Sequence, residues 1–229
     1  LLTIPGGTFQ MGSIRGQGLA EEHPQHRVRL DVFWAGRDLV TQAQWKRVMG
    51  KAAHCRFVGE SLPVENVSWH EAQAFCQRLS KMIDRRCHLP AESQWEHACR
   101  AGGVGPFHWG DTITAELANY CGEHVYAAEP RGPYRDTTTP AGTFPANAYG
   151  LHDMHGNLWE WCQDNWHDDY SGALGDGFSW TTRGDESLRV VRGGSWHDVP
   201  GACRSAARAS YAAECGDDMV GFRVFADPD

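Results

Sequence analysis

Residues 149–161 carry the densest pattern in this chain: Tyr149-Gly150-Leu151-His152-Asp153-Met154-His155-Gly156-Asn157-Leu158-Trp159-Glu160-Trp161. Glycine, aspartate and asparagine interrupt the apolar residues, so the segment fits neither a helical stripe nor a long alternating strand. The two tryptophans, Trp159 and Trp161, are large apolar side chains that we expect in the core. The segment therefore predicts irregular backbone fixed by buried aromatic rings.

The same character extends over the second half of the chain. After Gly102 there is no amphipathic helix of any length, but short strand-like runs occur at 188–192 and 220–225. We find no linker and no internal repeat. These features predict one α+β domain over residues 1–229, with short helices, short strands and much irregular structure.

The first half carries the helix signals. Caps and apolar spacing predict three helices, which follow Thr41, the capping box Ser68-Trp69-His70-Glu71, and Pro90. The chain begins at Leu1 without an initiator methionine, so we expect it to be the C-terminal part of a longer protein.

Composition narrows the classes of partner. The 229 residues include 21 Lys and Arg against 29 Asp and Glu, a net charge of −8. An acidic surface repels phosphate backbones and anionic lipids, so we expect no nucleic-acid partner. No apolar run approaches the roughly 20 residues that span a bilayer. The eight cysteines form no CxxC pair, which predicts buried free thiols and slightly favours the cytoplasm.

Six segments, in order along the chain, resemble the formylglycine-generating-enzyme (sulfatase-modifying-factor) family. They are Ile4-Pro5-Gly6-Gly7 through Met11-Gly12, Leu62-Pro63-Val64 with Val67-Ser68-Trp69, Leu89-Pro90-Ala91-Glu92-Ser93-Gln94-Trp95-Glu96, residues 149–161, Val191-Arg192-Gly193-Gly194-Ser195-Trp196, and Gly221-Phe222-Arg223. Each is weak alone, but together they span nearly the whole chain. The resemblance implies a C-type-lectin-like fold with little regular secondary structure.

The resemblance also implies a copper site that this sequence lacks. Oxidases of the family bind copper(I) through two thiolates, with four residues between them, in the segment after Gly-Gly-Ser. Here that segment contains Cys203 alone, and Cys215 comes after the Arg208 landmark. Because copper(I) requires soft ligands, one thiolate cannot replace two. We therefore predict a protein that is not an enzyme and requires no cofactor. An unusual enzyme of the same fold, either an oxidase or an iron-dependent relative, is the alternative.

A structural calcium ion is the one metal that the sequence favours. Asp153, Asn157 and Glu160 are spaced by four and three residues, and they would supply hard oxygen ligands along one turn. The resemblance places a calcium site at this segment in some relatives. The alternative is that Asp153 and Asn157 bond to loop backbone, as such residues often do. A histidine and carboxylate iron site from His197, Asp198, His152 and His155 is disfavoured, because near coincidences are expected among 12 histidines.

The segment 196–219 carries the functional prediction. Framework-like residues alternate here with positions at which many relatives carry asparagine, and this chain has Ala, Ser, Tyr, Cys, Asp, His, Val or Gly instead. Nearly all of these arise from an asparagine codon by changing only its two adenines; Met219 is the exception. This pattern resembles the variable region of a protein diversified by a retroelement. Ordinary drift on an exposed loop is the alternative.

We therefore predict a non-catalytic binding module whose partner is a protein or other macromolecule. The predicted ligand-binding residues are Trp196, His197, Asp198, Val199, Gly201, Ala202, Ala207, Ala209, Ser210, Tyr211, Cys215 and Asp218.

Overall fold

The computed structural model describes residues 1–228, and its regular elements are short. The helices are α1 (Gln42–Met49), α2 (Trp69–Ile83) and α3 (Glu92–Arg100). The strands are β1 (Leu2–Ile4), β2 (Gly7–Met11), β3 (His26–Leu30), β4 (Phe33–Ala35), β5 (Cys87–His88), β6 (Trp159–Trp166), β7 (Asp185–Arg192), β8 (Arg208–Ala212), β9 (Val220–Gly221) and β10 (Phe225–Ala226). No helix within 1–228 is long and apolar enough to cross a membrane.

The predicted helix starts are confirmed by their caps. The Thr41 and Ser68 hydroxyls each accept a hydrogen bond from the backbone N–H three residues on. In turn, the Gln44 and Glu71 side chains accept a hydrogen bond from the backbone N–H of the cap residue. Each box satisfies two N–H groups that a helix end leaves unpaired. Residue 50 ends α1 in the left-handed region, with φ 77°, where glycine carries no Cβ penalty.

The strands form three sheets. One has the order β1-β4-β10-β5, a second pairs β2 with β3, and a third has the order β8-β7-β6-β9. The register partners of Ala35 in β4 are Leu2 on one side and Phe225 on the other, so both chain ends enter one sheet. In the third sheet, β7 pairs antiparallel with both β6 and β8. Strand β7 is therefore an inner strand of the sheet that the second half of the chain forms.

Buried aromatic rings fill the core, as predicted. Trp161 is fully buried, and Trp159 is 5% exposed. In the same cluster, Trp45 stacks on Phe75 with centroids 5.7 Å apart. The eight thiols are free, as predicted, and only Cys215 is exposed.

Candidate binding surface

Two glycines set the turn that opens the predicted binding segment. Gly193 and Gly194, directly after β7, have φ values of 104° and 75°. A Cβ on Gly194 would lie 2.6 Å from the Cys203 sulfur. Only glycine combines this backbone conformation with so close an approach. The turn therefore fixes where the following residues leave the sheet.

Asp198 fastens the loop that follows. Its carboxylate accepts bonds from the Ser195 backbone N–H, from the Ser195 hydroxyl and from Trp159 Nε1 at 2.8 Å. Its own carbonyl accepts a bond from the Cys121 backbone N–H at 2.9 Å. The Asp198 carboxylate thus stabilises the conformation of the loop. The sequence predicted Asp198 as a ligand-binding residue and did not indicate this structural role.

Buried ion pairs anchor β7, which precedes the segment, and β8, which lies within it. The Glu92 carboxylate of α3 bonds to Arg192 at the end of β7 and to Arg208 at the start of β8, each at 2.8 Å. Arg192 also bonds to Glu96. The Glu92 side chain is almost fully buried, which by itself would raise its pKa, but Arg208 and Arg192 hold that pKa below its usual value. The strand before the segment and the strand inside it are therefore both fixed to α3.

Exposure divides the predicted ligand-binding residues. His197, Val199 and Cys215 are exposed, whereas Trp196 and Ala207 are buried, at 2% and 4% exposure. Trp196 packs with Leu158, and its Nε1 donates to the Asp218 carbonyl at 3.1 Å. Trp196 and Ala207 were predicted to contact the ligand. This is corrected, because neither side chain reaches the surface. Half-buried positions make up the rest: Asp198, Gly201, Ala202, Ala209, Ser210, Tyr211 and Asp218.

The surface includes three side chains from other loops that sequence reasoning missed. The hydroxyl of Tyr134 lies 2.7 Å from His197 Nδ1, and Arg56 pairs with Asp218 at 2.6 Å. Phe57 meets the Trp196 ring edge-on at 5.3 Å. These residues lie in irregular loops at least 60 positions earlier in the chain, where no periodicity marks them. We define the binding face as His197, Val199, Gly201, Ala202, Ala209, Ser210, Tyr211 and Asp218 with Arg56, Phe57 and Tyr134.

Acidic groups surround Tyr211 on this face. Burial raises the pKa of the half-buried Tyr211 hydroxyl to about 12, together with the charges of Asp217, Asp198 and Asp218. The ring lies edge-on to Trp161 at 6.3 Å, which fixes its plane. The face therefore presents an oriented phenol beside carboxylates.

The segment after the Gly-Gly-Ser turn contains one thiol, Cys203, where the family resemblance implies two for copper(I). Cys203 is fully buried, and burial raises its thiol pKa well above the ordinary value. A second buried thiol, Cys99, lies at the C-terminal end of α3 and bonds to Ser205 Oγ at 3.7 Å. Burial likewise raises its pKa, to about 12. Both thiols are therefore neutral in the metal-free chain.

A second arrangement of catalytic residue types also has the wrong electrostatics. His155 Nε2 lies 3.6 Å from the Cys99 sulfur, and its Nδ1 lies 2.7 Å from the Cys203 carbonyl. Burial lowers the pKa of His155 to about 3, aided by the charge of His108, while that of Cys99 is raised. A thiolate and imidazolium pair needs a low thiol pKa and a protonated imidazole. Both groups are therefore held neutral.

The predicted calcium ligands are engaged separately. Glu160 is ion-paired with Arg223 at 2.8 Å and also accepts a bond from Trp95 Nε1. Asn157 Oδ1 accepts from the Thr139 backbone N–H. Asp153 Oδ2 accepts from the Gly142 N–H. Glu160 is therefore engaged by an arginine, and Asn157 and Asp153 by loop amides, while Asp153 Oδ1 has no hydrogen-bond partner within residues 1–228. A calcium ion at these three residues stays a prediction.

The disfavoured iron ligands are not gathered either. His152 Nδ1 lies 2.7 Å from the Phe144 carbonyl, whereas His197 bonds to Tyr134. Within residues 1–228, no group of three or more His, Cys, Asp or Glu residues is positioned to hold a metal ion.

Three short sheets, three helices and long loops around a Gly-Gly-Ser turn define a C-type-lectin-like domain of the formylglycine-generating-enzyme type, as predicted. The model of the sulfatase-modifying factor enzyme 1-like domain matches residues 1–228, and the chain belongs to that family.

One relative and two solved structures are similar to this chain over nearly its whole length. The formylglycine-generating enzyme of Thermomonospora curvata is 33% identical over 289 aligned residues, which cover all of this chain and 93% of that protein. The structure of PvdO from Pseudomonas aeruginosa matches with a TM-score of 0.85 and 30% identity over 99% of this chain and 93% of that one. Treponema denticola variable protein 1 matches with a TM-score of 0.85 and 24% identity, covering 99% and 94%. That last likeness is one of fold.

Proposed function

We propose that this chain is a non-catalytic binding module that grips a protein or other macromolecule through the binding face. The observation that carries the proposal is the separation of roles along residues 194–219. Gly194, Asp198 and Arg208 are locked by close packing, hydrogen bonds and ion pairs, whereas His197 and Val199 between them face solvent. Such a loop tolerates change at its exposed positions without loss of the fold.

The chemistry of the face suits recognition. Tyr134 and Tyr211 offer rigid aromatic area with a polar tip, and residues of this type supply much of the energy of protein interfaces. Short side chains such as Ala202, Ala209 and Ser210 leave room for a partner to approach the backbone. These features support binding, and no geometry at Cys203 or Cys99 favours the enzyme alternative.

We further propose that a retroelement diversifies the exposed positions. The amino acids of segment 196–219, most of which an asparagine codon reaches by changes of its two adenines, motivate this, and a variable protein shares the fold. The genomic locus tests it: a near-identical, asparagine-rich template copy of this segment should lie beside a reverse-transcriptase gene. If both are absent from the locus, the diversification proposal fails, while the binding role remains open.

A library experiment tests the binding face directly. His197, Val199, Ser210 and Tyr211 are randomised in a yeast-displayed library, which is selected against hen egg-white lysozyme. A matched control library randomises Val58, Val104, Leu174 and Phe178, which are also exposed. We expect lysozyme binders from the first library alone, with members losing at most about 0.5 kcal/mol of stability per change. Widespread unfolding, or binders from the control library only, contradicts the assignment.

Metal and oxygen measurements test the enzyme alternative. Stoichiometric copper or iron in the purified chain, with oxygen consumption on a cysteine-containing peptide, would establish catalysis and refute the proposal. We expect neither, because the segment after Gly-Gly-Ser contains one thiol where the copper(I) site needs two, and that thiol, Cys203, is fully buried.

A further inference from the structure

Strand β8 is the open edge of the third sheet and lies within the binding face. It pairs with β7 on one side, and the order β8-β7-β6-β9 leaves its other side without a neighbouring strand. At the opposite end of that sheet, the segment that follows β9 is covered, since the Val40 N–H donates to the Phe222 carbonyl. An uncovered edge presents backbone groups that another strand can pair with.

The register of β8 on β7 identifies which backbone groups point outward. Ala213 N–H donates to the Ser187 carbonyl at 2.9 Å, which makes 213 and 187 a hydrogen-bonded pair. Hydrogen-bonded and non-hydrogen-bonded pairs alternate along an antiparallel ladder. In the register that pairs Ser210 with Val190, Tyr211 therefore bonds to β7, while Ser210 directs its N–H and C=O away from it.

The outward groups of Ser210 are available to a ligand. Ser210 is half-buried, and none of the residues 1–228 outside its own sheet hydrogen-bonds with its N–H or C=O. The carbonyl of Ala212, the next outward residue, is already taken by the Cys215 N–H at 3.1 Å. That bond closes the strand at its C-terminal end, so the open stretch is short and centred on Ser210.

Charge indicates the kind of strand that fits. The residue of an added strand directly opposite Tyr211 would place its side chain on the same face, within about 5 Å of Tyr211. Asp198, Asp217 and Asp218 lie close enough to Tyr211 to act on its hydroxyl. The cation Arg56 is already paired with Asp218. A lysine or arginine opposite Tyr211 would meet both an aromatic ring and carboxylates.

We propose that the ligand of this face is an extended polypeptide segment that adds as a strand to β8, pairs its backbone with Ser210, and carries a lysine or arginine opposite Tyr211. This rests on the proposed function and specifies its partner. Backbone pairing supplies binding that survives changes of side chain, while the neighbouring side chains decide specificity.

The test uses a defined probe. A phage-displayed library of random dodecapeptides is selected on the immobilised full chain, and the recovered peptides are synthesised. We expect lysine or arginine at one recurrent position. N-methylation at successive peptide residues should weaken binding at least tenfold at alternate positions only, because every second N–H of an added strand faces β8. Uniform tolerance of N-methylation, or the absence of any binding peptide, overturns the proposal.

Variants of the protein provide a second test of strand addition. Ser210→Pro removes the outward N–H without removing a bond to β7, and should weaken peptide binding at least tenfold relative to Ser210→Ala, which keeps that N–H. Amide exchange at Ser210 should be fast in the free chain and slowed by the peptide, a measurement that holds even if the proline variant folds poorly. If changes at His197 and Val199 alter binding but Ser210→Pro and Ser210 exchange do not, the face binds through side chains and strand addition is wrong. If no change in this face affects any ligand, the proposed function itself fails.

Discussion

Gly194 lies where the chain turns back over the Cys203 thiol. Its φ of 75° is one that β-branched residues avoid, and a Cβ there would meet the sulfur at 2.6 Å. We expect Gly194→Val to destabilise the domain by about 3 kcal/mol or more, from strain and overpacking together. Urea unfolding measures this. Gly201→Ala is the matched control, since a Cβ at Gly201 meets nothing within 4 Å. Equal stability of the two variants would mean that the turn is incidental.

Glu65 gives the stability a pH dependence of known sign. This fully buried carboxyl accepts a bond from the Phe57 N–H, its Oε2 has no partner, and burial raises its pKa to about 7. The folded state therefore holds the proton more tightly than the unfolded state, whose pKa is near 4.5. The contribution of Glu65 to the free energy of unfolding therefore decreases as the pH rises from about 4.5 through 7.

Glu65→Gln should remove that loss. The variant should gain stability relative to the unmodified chain between pH 5 and pH 8, by roughly 2–3 kcal/mol. Unfolding free energies at several pH values measure the difference. Glu60→Gln, an exposed neighbour, should show no such trend. A gain that is constant over this range would mean that Glu65 is ionised throughout.

At the scale of elements, one carboxylate of α3 joins β7 to β8. Glu92 pairs with both Arg192 and Arg208, and all three side chains are buried. Glu92→Gln leaves two buried arginines short of a counter-charge, and we expect a loss of about 3–5 kcal/mol. Chemical denaturation measures it, with Asp227→Asn as the control. Asp227 pairs with the exposed Arg86, and its loss should cost at most about 1 kcal/mol.

The elements also show what the sequence can predict. The starts of α1 and α2 follow from Thr41 and Ser68, because a cap and its reciprocal partner lie three residues apart and need nothing distant. The loop-rich character of segment 196–219 was predictable, but its contacts were not. Trp196 points inward because a pocket formed by distant loops receives it. No local pattern encodes that contact, nor the approach of Arg56 and Tyr134.

The calcium prediction rests on spacing alone and stays a prediction. Spacing alone can bring Asp153, Asn157 and Glu160 to one turn, but it cannot show that Arg223, over 60 residues later, takes the Glu160 carboxylate. Ion pairs between distant residues depend on the whole topology. Sequence patterns therefore predict local caps and turns better than they predict ligand sets.

For the whole molecule, the distribution of thiols gives a simple prediction. Of the eight cysteines, six are buried, Cys55 is half-buried and Cys215 is exposed. An aromatic disulfide reagent should therefore modify one thiol rapidly in the native chain, a second more slowly, and the rest only after unfolding. The absorbance of the aromatic thiolate that the reagent releases follows the reaction. Cys215→Ser should abolish the fast phase; a fast phase that persists in this variant would place another thiol at the surface.

The first sheet brings the two ends of the chain level with each other. Leu2 and Phe225 flank Ala35 on its two sides, so they lie two strand spacings apart, about 10 Å. A linker of a few glycines could close that gap, and the chain could then be opened elsewhere, for example in the exposed stretch 181–183. The fold is thus suited to circular permutation. It could also be inserted into a surface loop of a host protein, because its two connections to the host would lie side by side.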